Sequence, residues 1–442
     1  MDEKLLRERG DALDRLGLEW ELFAIDQDSL SLEVRQREVD AMKSSRNQGI
    51  ALRVREEGRI GFSFATDLTD SSFERMLEQA RASAKAFEPN EFARFSDESA
   101  APPDLPLVDP APRRSTEEAI ESARQIEAAA LSTDERVKRI RKASYAESNG
   151  WEWLLNSHGL FRCAQSTFFS ASVLAIAEAD GESESGGEFQ FGRTWGELDY
   201  DWVGREAARR AVGGLGGRPI PTGVRPIVFE NRVVASLLGI MSPSFVGESV
   251  QRNRSLLAGK MGQAIMSPLI NLYDDGLDVR GAAAFPFDGE GTPQQQTPLV
   301  IDGELKNFLY DLESGARDNR GSTGNANRSG FRAPPGPSTT NLRLDPGSGT
   351  MEELCSEIGS GFLVTDLLGL HTANPISGEF SLGASGFEIV NGEIGGPVRG
   401  VALADNVLGL FRKATRIGSD FRYFGSIGAA SMAVPDVSVS GG

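Results

Sequence analysis

Histidine is scarce in this chain. Only His158 and His371 occur among 442 residues, on either side of a glycine-rich break at Gly213-Gly-Leu-Gly-Gly-Arg-Pro-Ile-Pro-Thr-Gly223. A pair of histidines on one helix, the usual core of a hydrolytic zinc site, is therefore excluded. His158 lies in the turn-like Asn156-Ser-His-Gly159 and is expected at the surface. His371 lies in Leu370-His-Thr-Ala-Asn-Pro375, a polar loop after an apolar segment, where a lone imidazole usually just makes a hydrogen bond. Cys163 and Cys355 belong to no CxxC pair, so reduced thiols are expected instead of a disulfide framework or a zinc site. Gly383-Ala-Ser-Gly386 lacks the second spacer of a serine-hydrolase elbow. Gly259-Lys260 runs into Met261 without the upstream glycine of a phosphate loop.

Carboxylates do cluster, at Asp274-Asp275 and at Asp288-Gly-Glu-Gly291. Such oxygens suit a hard cation, but acidic residues beside glycine are more often solvated turns. Asn319-Arg-Gly-Ser-Thr-Gly-Asn-Ala-Asn-Arg328 is a polar, glycine-spaced loop of the kind that carries binding residues. These parts specify no reaction by themselves.

The elements that must position them follow from patterning. An amphipathic helix is expected over 2–16, then strands at 18–25, 30–34, 50–54 and 60–64, with a turn at Glu57-Gly58. A helix starts at Asp70, and a proline-rich connector occupies the region near 88–114. A helix capped by Ser115 or Thr116 follows, with strands at 137–144, 151–156, 167–177 and 188–192 and a helix at 203–215. The recurring order suggests a tandem repeat. The break at 213–223 follows a helix and has Pro219 where a third glycine belongs, so it reads as a linker instead of a dinucleotide loop. Beyond it one helix, 232–240, stands among short strands and turns. The expected fold is α+β in two domains: an α/β-type half at 1–215 and a mostly antiparallel β half at 224–442.

A net charge of −18 disfavours a nucleic-acid backbone or an anionic membrane as partner. Neither a secretory leader nor an apolar run of about 18 residues is present, so a cytoplasmic protein is expected.

Ordered motifs along the whole chain resemble the TldD/PmbA family, specifically its PmbA (TldE) branch. They include Gly49-Ile-Ala-Leu-Arg-Val54, Gly58-Arg-Ile-Gly-Phe62, Val250-Gln-Arg-Asn-Arg-Ser255 and Phe287-Asp-Gly-Glu-Gly-Thr-Pro293. Ser322-Thr-Gly-Asn325, Thr339-Thr-Asn-Leu342, Ser377-Gly-Glu-Phe-Ser-Leu-Gly383, Asn391-Gly-Glu393 and Val437-Ser-Val-Ser-Gly441 continue the series. Older naming makes this family a modulator of DNA gyrase; it is also described as a protease with TldD and TldE subunits. The resemblance implies that the TldD branch holds a metal through His-Glu and a second His on one helix, with a cysteine near its C-terminus. Here that helix and its exit read Leu237-Leu-Gly-Ile-Met-Ser-Pro-Ser-Phe-Val-Gly247, and the C-terminal stretch reads Phe424-Gly-Ser-Ile-Gly-Ala-Ala-Ser431. Neither carries those ligands, as in the PmbA branch. What the resemblance implies is a non-catalytic subunit without metal or other cofactor, working with a TldD-type metalloprotease on unfolded or modified peptides and forming a homodimer when alone. Asp288, Glu290, Asn325 and His371 are the candidates for lining a peptide-binding space. The alternatives are an autonomous hydrolase built on Asp288, Glu290 and His371, and a non-enzymatic regulator that binds a topoisomerase.

Overall fold

The computed structural model describes residues 1–97, 100–111 and 113–441. Helix α1 (Glu3–Asp14) leads into three long strands, β1 (Glu19–Arg35), β2 (Glu38–Glu56) and β3 (Arg59–Ala65), and then α2 (Asp70–Ala84). The same order returns as α3 (Thr116–Thr133), β4 (Val137–Asn156), β5 (Phe161–Ala179), β6 (Glu182–Gly192) and α4 (Tyr200–Gly213). The two expected strands at 18–25 and 30–34 are one continuous strand, as are those at 137–144 and 151–156. The polar stretch Asp26–Ser29 does not interrupt β1, because β2 and β4 pair with it there from both sides.

The six strands form one antiparallel sheet in the order β3-β2-β1-β4-β5-β6, so the two meanders meet at the β1–β4 pair. Alternation sends Leu22, Leu52 and Trp153 toward α1 and α2, and Leu32, Ala143 and Val173 toward α3 and α4. The opposite face, which includes Phe23, Ala51 and Leu154, packs with Phe331 of the second half. Ser115 caps α3 through a reciprocal box with Glu118.

The expected connector near 88–114 includes Glu98, Ser99 and Pro112, which lie outside the described residues. Its described part has no helix or strand but is pinned to the sheet. Asn156 Nδ2 donates to the Ser96 carbonyl (2.8 Å), Arg162 to the Ala100 carbonyl (2.7 Å), and the Thr167 amide to the Leu107 carbonyl (2.8 Å).

After Gly213, the chain re-enters a strand at β7 (Gly223–Phe229), followed by α5 (Asn231–Met241). Strand β7 sits between Gly361–Leu368 and Met432–Ser440; Glu379–Val390 and Glu393–Asn406 complete the ring, which closes by pairing 393–406 with 432–440. A second six-stranded sheet contains Leu272–Asp275, Gln296–Ile301 and Leu342–Leu344. Helix α5 lies in the core that joins the two sheets, with Val234, Leu237, Leu238 and Met241 fully buried. Among the described strands of this half, two pairings are parallel, β7 with 361–368 and 342–344 with 427–429, and the other strand pairings are antiparallel. The expectation of one helix here is corrected by four shorter ones, Gly247–Gln251, Leu312–Arg317, Met351–Ile358 and Val407–Lys413. They are too short for periodicity to reveal, and caps such as the Thr350–Glu353 box define them instead. The architecture is mixed α+β.

Each repeat places a glycine in its third strand where its second helix presses closest. A Cβ on Gly61 would lie 1.9 Å from the Ala80 carbonyl oxygen of α2, and one on Gly186 2.3 Å from the Ala207 carbonyl oxygen of α4. Backbone cannot yield as a flexible side chain would. Gly61→Ala or Gly186→Ala should therefore lower stability by about 1–3 kcal/mol through overpacking, measured by denaturant titration. Gly17→Ala, where no atom lies within 4 Å but φ is +67°, should show only the smaller backbone cost.

Candidate functional site

On β1, alternation puts Glu21 on the sheet face turned away from the helices. Its register partner on β2 is Arg53. The two meet in a bidentate pair, Arg53 Nε to Glu21 Oε1 at 2.8 Å and Nη2 to Oε2 at 2.7 Å, both buried. Arg53 also reaches Glu290 of the second half (3.3 Å), while Arg328, from the polar loop, pairs with Glu21 and donates to the Gly289 carbonyl (2.6 Å). Glu290 accepts the Leu312 amide as well (3.0 Å). Four charged groups thus join the sheet to the loops of the C-terminal half.

Those loops are held by the predicted acidic residues. Asp288 Oδ1 accepts the amides of Glu290 (2.9 Å) and Thr292 (3.0 Å), and its Oδ2 accepts the Ala326 amide (3.0 Å). Asn325 Nδ2 donates to Asp274 (2.8 Å), whose other donors are the Thr340 hydroxyl (2.5 Å) and amide (2.7 Å). The expectation of solvated turns is corrected: Asp274, Asp288 and Glu290 are 1%, 3% and 4% exposed. Each has at least one partner distant in sequence, Ala326 for Asp288, Asn325 and Thr340 for Asp274, and Arg53 and Leu312 for Glu290, which local composition does not reveal.

A cavity of about 260 Å³ opens against this assembly, lined by Glu152, Arg193, Asp288, Asn325, Arg328 and Thr340 among others. The structure thus brings Asp288, Glu290 and Asn325 together. His371 is elsewhere, exposed in the short turn Leu370–Thr372. His158 lies in the β4–β5 turn, 3.4 Å from Glu19. Glu21, Arg53 and Glu152 were missed as site residues. The available signal was a charge inside an otherwise apolar alternating strand, as in Leu52-Arg-Val54.

Burial governs the protonation here. It raises the carboxyls of Asp288 and Glu290, with further repulsion from Asp311, and pushes Asp274 up to about 6 and Glu152 to about 7. Glu21 goes the other way: burial would raise it, but Arg53 and Arg328 together hold it below the usual carboxylate range. Burial brings the Arg328 guanidinium down to about 10.

A second ionic junction lies further along the sheet. Buried Glu188 of β6 meets Arg232 (2.5 Å), Arg422 (3.0 Å) and Arg210 (3.4 Å). A larger cavity of about 580 Å³ adjoins it, but Arg210 is paired with Glu230, Arg209 with Glu206, and Arg399 with Glu184.

Two measurements test the first junction. Arg53→Met should cost about 3–5 kcal/mol, because Glu21 and Glu290 lose a buried countercharge. A carboxyl whose folded pKa is raised stabilises the fold at low pH and loses that contribution as pH rises through the folded value. For Asp274 and Glu152 the window runs from about 4 to about 7, so the thermal midpoint should be higher near pH 5 than near pH 8. Glu152→Gln should flatten that slope. Below about pH 4 the depressed Glu21 acts in the opposite sense and stability should fall again.

The segment Leu237–Gly247 forms the end of α5 and its exit, and Leu237, Leu238, Met241 and Phe245 point into the core at 0% exposure. Ser431 is equally buried; it donates to Asp420 (2.7 Å) and accepts the Asn231 amide (3.1 Å). These side chains do not fit a metal, and no group of three or more His, Cys, Asp or Glu is arranged to hold one among the described residues. No helix among the described residues is long and apolar enough to cross a membrane.

The fold and sequence both have relatives. Models of the PmbA/TldA metallopeptidase match in three parts: domain 1 at residues 20–84, the central domain at 109–215 and the C-terminal domain at 222–441. The metalloprotease PmbA of Escherichia coli O157:H7 is 29% identical over 93% of this chain and 90% of its own. A TldD homologue of Haemophilus influenzae is 23% identical over 84% and 79%. A Thermotoga maritima protein proposed to modulate a DNA gyrase superposes with a TM-score of 0.91 at 27% identity, covering 99% of this chain and 100% of that one. TldE of Thermococcus kodakarensis shares the fold, with a TM-score of 0.84 at 23% identity and 99% coverage of each chain. With the three models together spanning most of its length and both halves of the fold reproduced, the chain belongs to the PmbA/TldD metallopeptidase family.

Proposed function

We propose that this chain is the TldE/PmbA-type subunit of a two-component protease, pairing with a TldD-type metalloprotease and acting on unfolded or modified peptides. The observation that carries the reading is the state of α5 and its exit. Where the metal-bearing branch is expected to place His-Glu and His, this chain has apolar side chains packed into the core, and Ser431 is committed to Asp420. Such a chain contributes surface and shape, and the hydrolytic centre belongs to the partner. It works in the cytoplasm and forms a homodimer in the partner's absence. Peptide contacts of this kind come from main-chain groups and polar side chains, which tolerate varied sequences. Asp288 and Asn325 line the cavity, Glu290 fixes its frame, and His371 offers a separate surface contact.

Co-expression with a TldD-type protein from the same genome should give a co-purifying complex that hydrolyses an unfolded peptide, while the isolated chain shows no turnover. Peptide hydrolysis by the isolated chain would favour the autonomous-hydrolase alternative. In the complex, Glu290→Ala and His371→Ala should lower turnover without abolishing it and without preventing assembly. Complete loss with assembly intact would move the chemistry into this chain.

A further inference from the structure

The cavity between the sheet and the C-terminal loops has unmet hydrogen-bonding capacity of a particular kind. Four charged side chains line it: Glu152, Arg193, Asp288 and Arg328. Arg193 is spent on the carbonyls of Ala282 (2.9 Å) and Ala284 (3.1 Å), and Asp288 on three amides. Arg328 is only 3% exposed, yet its Nη1 has no partner. Glu152, inward-facing on β4, makes no hydrogen bond or ion pair with any described residue; Arg328 acts on it only through space. Among the four, Glu152 is therefore the charged group that faces the chamber without a partner. Leaving such groups without partners is costly unless a ligand completes them.

The unpartnered group decides which ligand. Arg193 and Asp288 are held by backbone carbonyls and amides, and Arg328 by Glu21 and the Gly289 carbonyl, whereas the Glu152 side chain faces the chamber without a partner. A carboxylate guest would be repelled there, whereas an ammonium group would complete it. At about 260 Å³ the space falls below the roughly 300–1,000 Å³ typical of drug-sized ligands, so it suits one or two residues. We propose that this chamber binds the amino terminus of a peptide, with the α-ammonium group on Glu152. Burial, which disfavours the lone Glu152 carboxylate, agrees with a site that awaits a cation.

The inference deepens the peptide-handling reading and rests on it, but its test uses this chain alone. Isothermal titration of the isolated protein with alanyl-alanine amide should show binding, weakened about tenfold or more when the amine is acetylated. Glu152→Gln should erase the difference between the two ligands while leaving the near-ultraviolet dichroism unchanged. Should that variant fail to fold, the comparison of ligands on the unaltered protein decides. Equal binding of both amides, tighter binding of acetyl-alanine with its free carboxylate, or no binding of any of the three would each overturn the proposal. Failure of the chain to co-purify with a TldD-type partner would instead count against the subunit reading and leave this site standing.

Discussion

Arg53 is the point through which the two halves of the molecule hold each other. A guanidinium buried beneath a sheet is costly in isolation, so its position requires Glu21 opposite it on β1 and Glu290 across the junction. Arg328 then completes the set from the other side. Hydrophobic contact around Phe331 would tolerate sliding, because apolar burial is not directional. Four charged groups with fixed partners do not. They set the register between the sheet and the loops, and the shape of the chamber follows.

The sheet can serve as that platform because its other face is covered twice by the same device. Each repeat lays its second helix directly on a glycine of its third strand, so Ala80 and Ala207 approach backbone to backbone. Close helix packing leaves one face dry and frees the other for the C-terminal half. On that face Glu21 and Arg53 lock the junction with the C-terminal half, and Glu152 faces the chamber.

Within a family described as metallopeptidases, α5 of this chain serves the core. Leu237, Leu238 and Met241 at its end are fully buried, and Ser431 near the C-terminus ties Asp420 and Asn231 together.

The sequence alone determined the elements whose period is long enough to count: α1 through α5 and the turn at Glu57-Gly58; it narrowed the α3 cap to Ser115 or Thr116, and the structure selects Ser115. It also supplied the family, through the order of its motifs. Asp288, Glu290 and Asn325 were legible as members of polar loops, but their burial was not, since it depends on distant partners: the Ala326 amide for Asp288, Arg53 for Glu290 and Asp274 for Asn325. Only tertiary structure merged the strands of β1, because pairing on both sides outweighs the polar run Asp26–Ser29. Only tertiary structure set His371 apart from the acidic cluster and brought Glu21, Arg53 and Glu152 to it. Alternation gives the face on which a strand residue lies, but what covers that face comes from residues more than a hundred positions away.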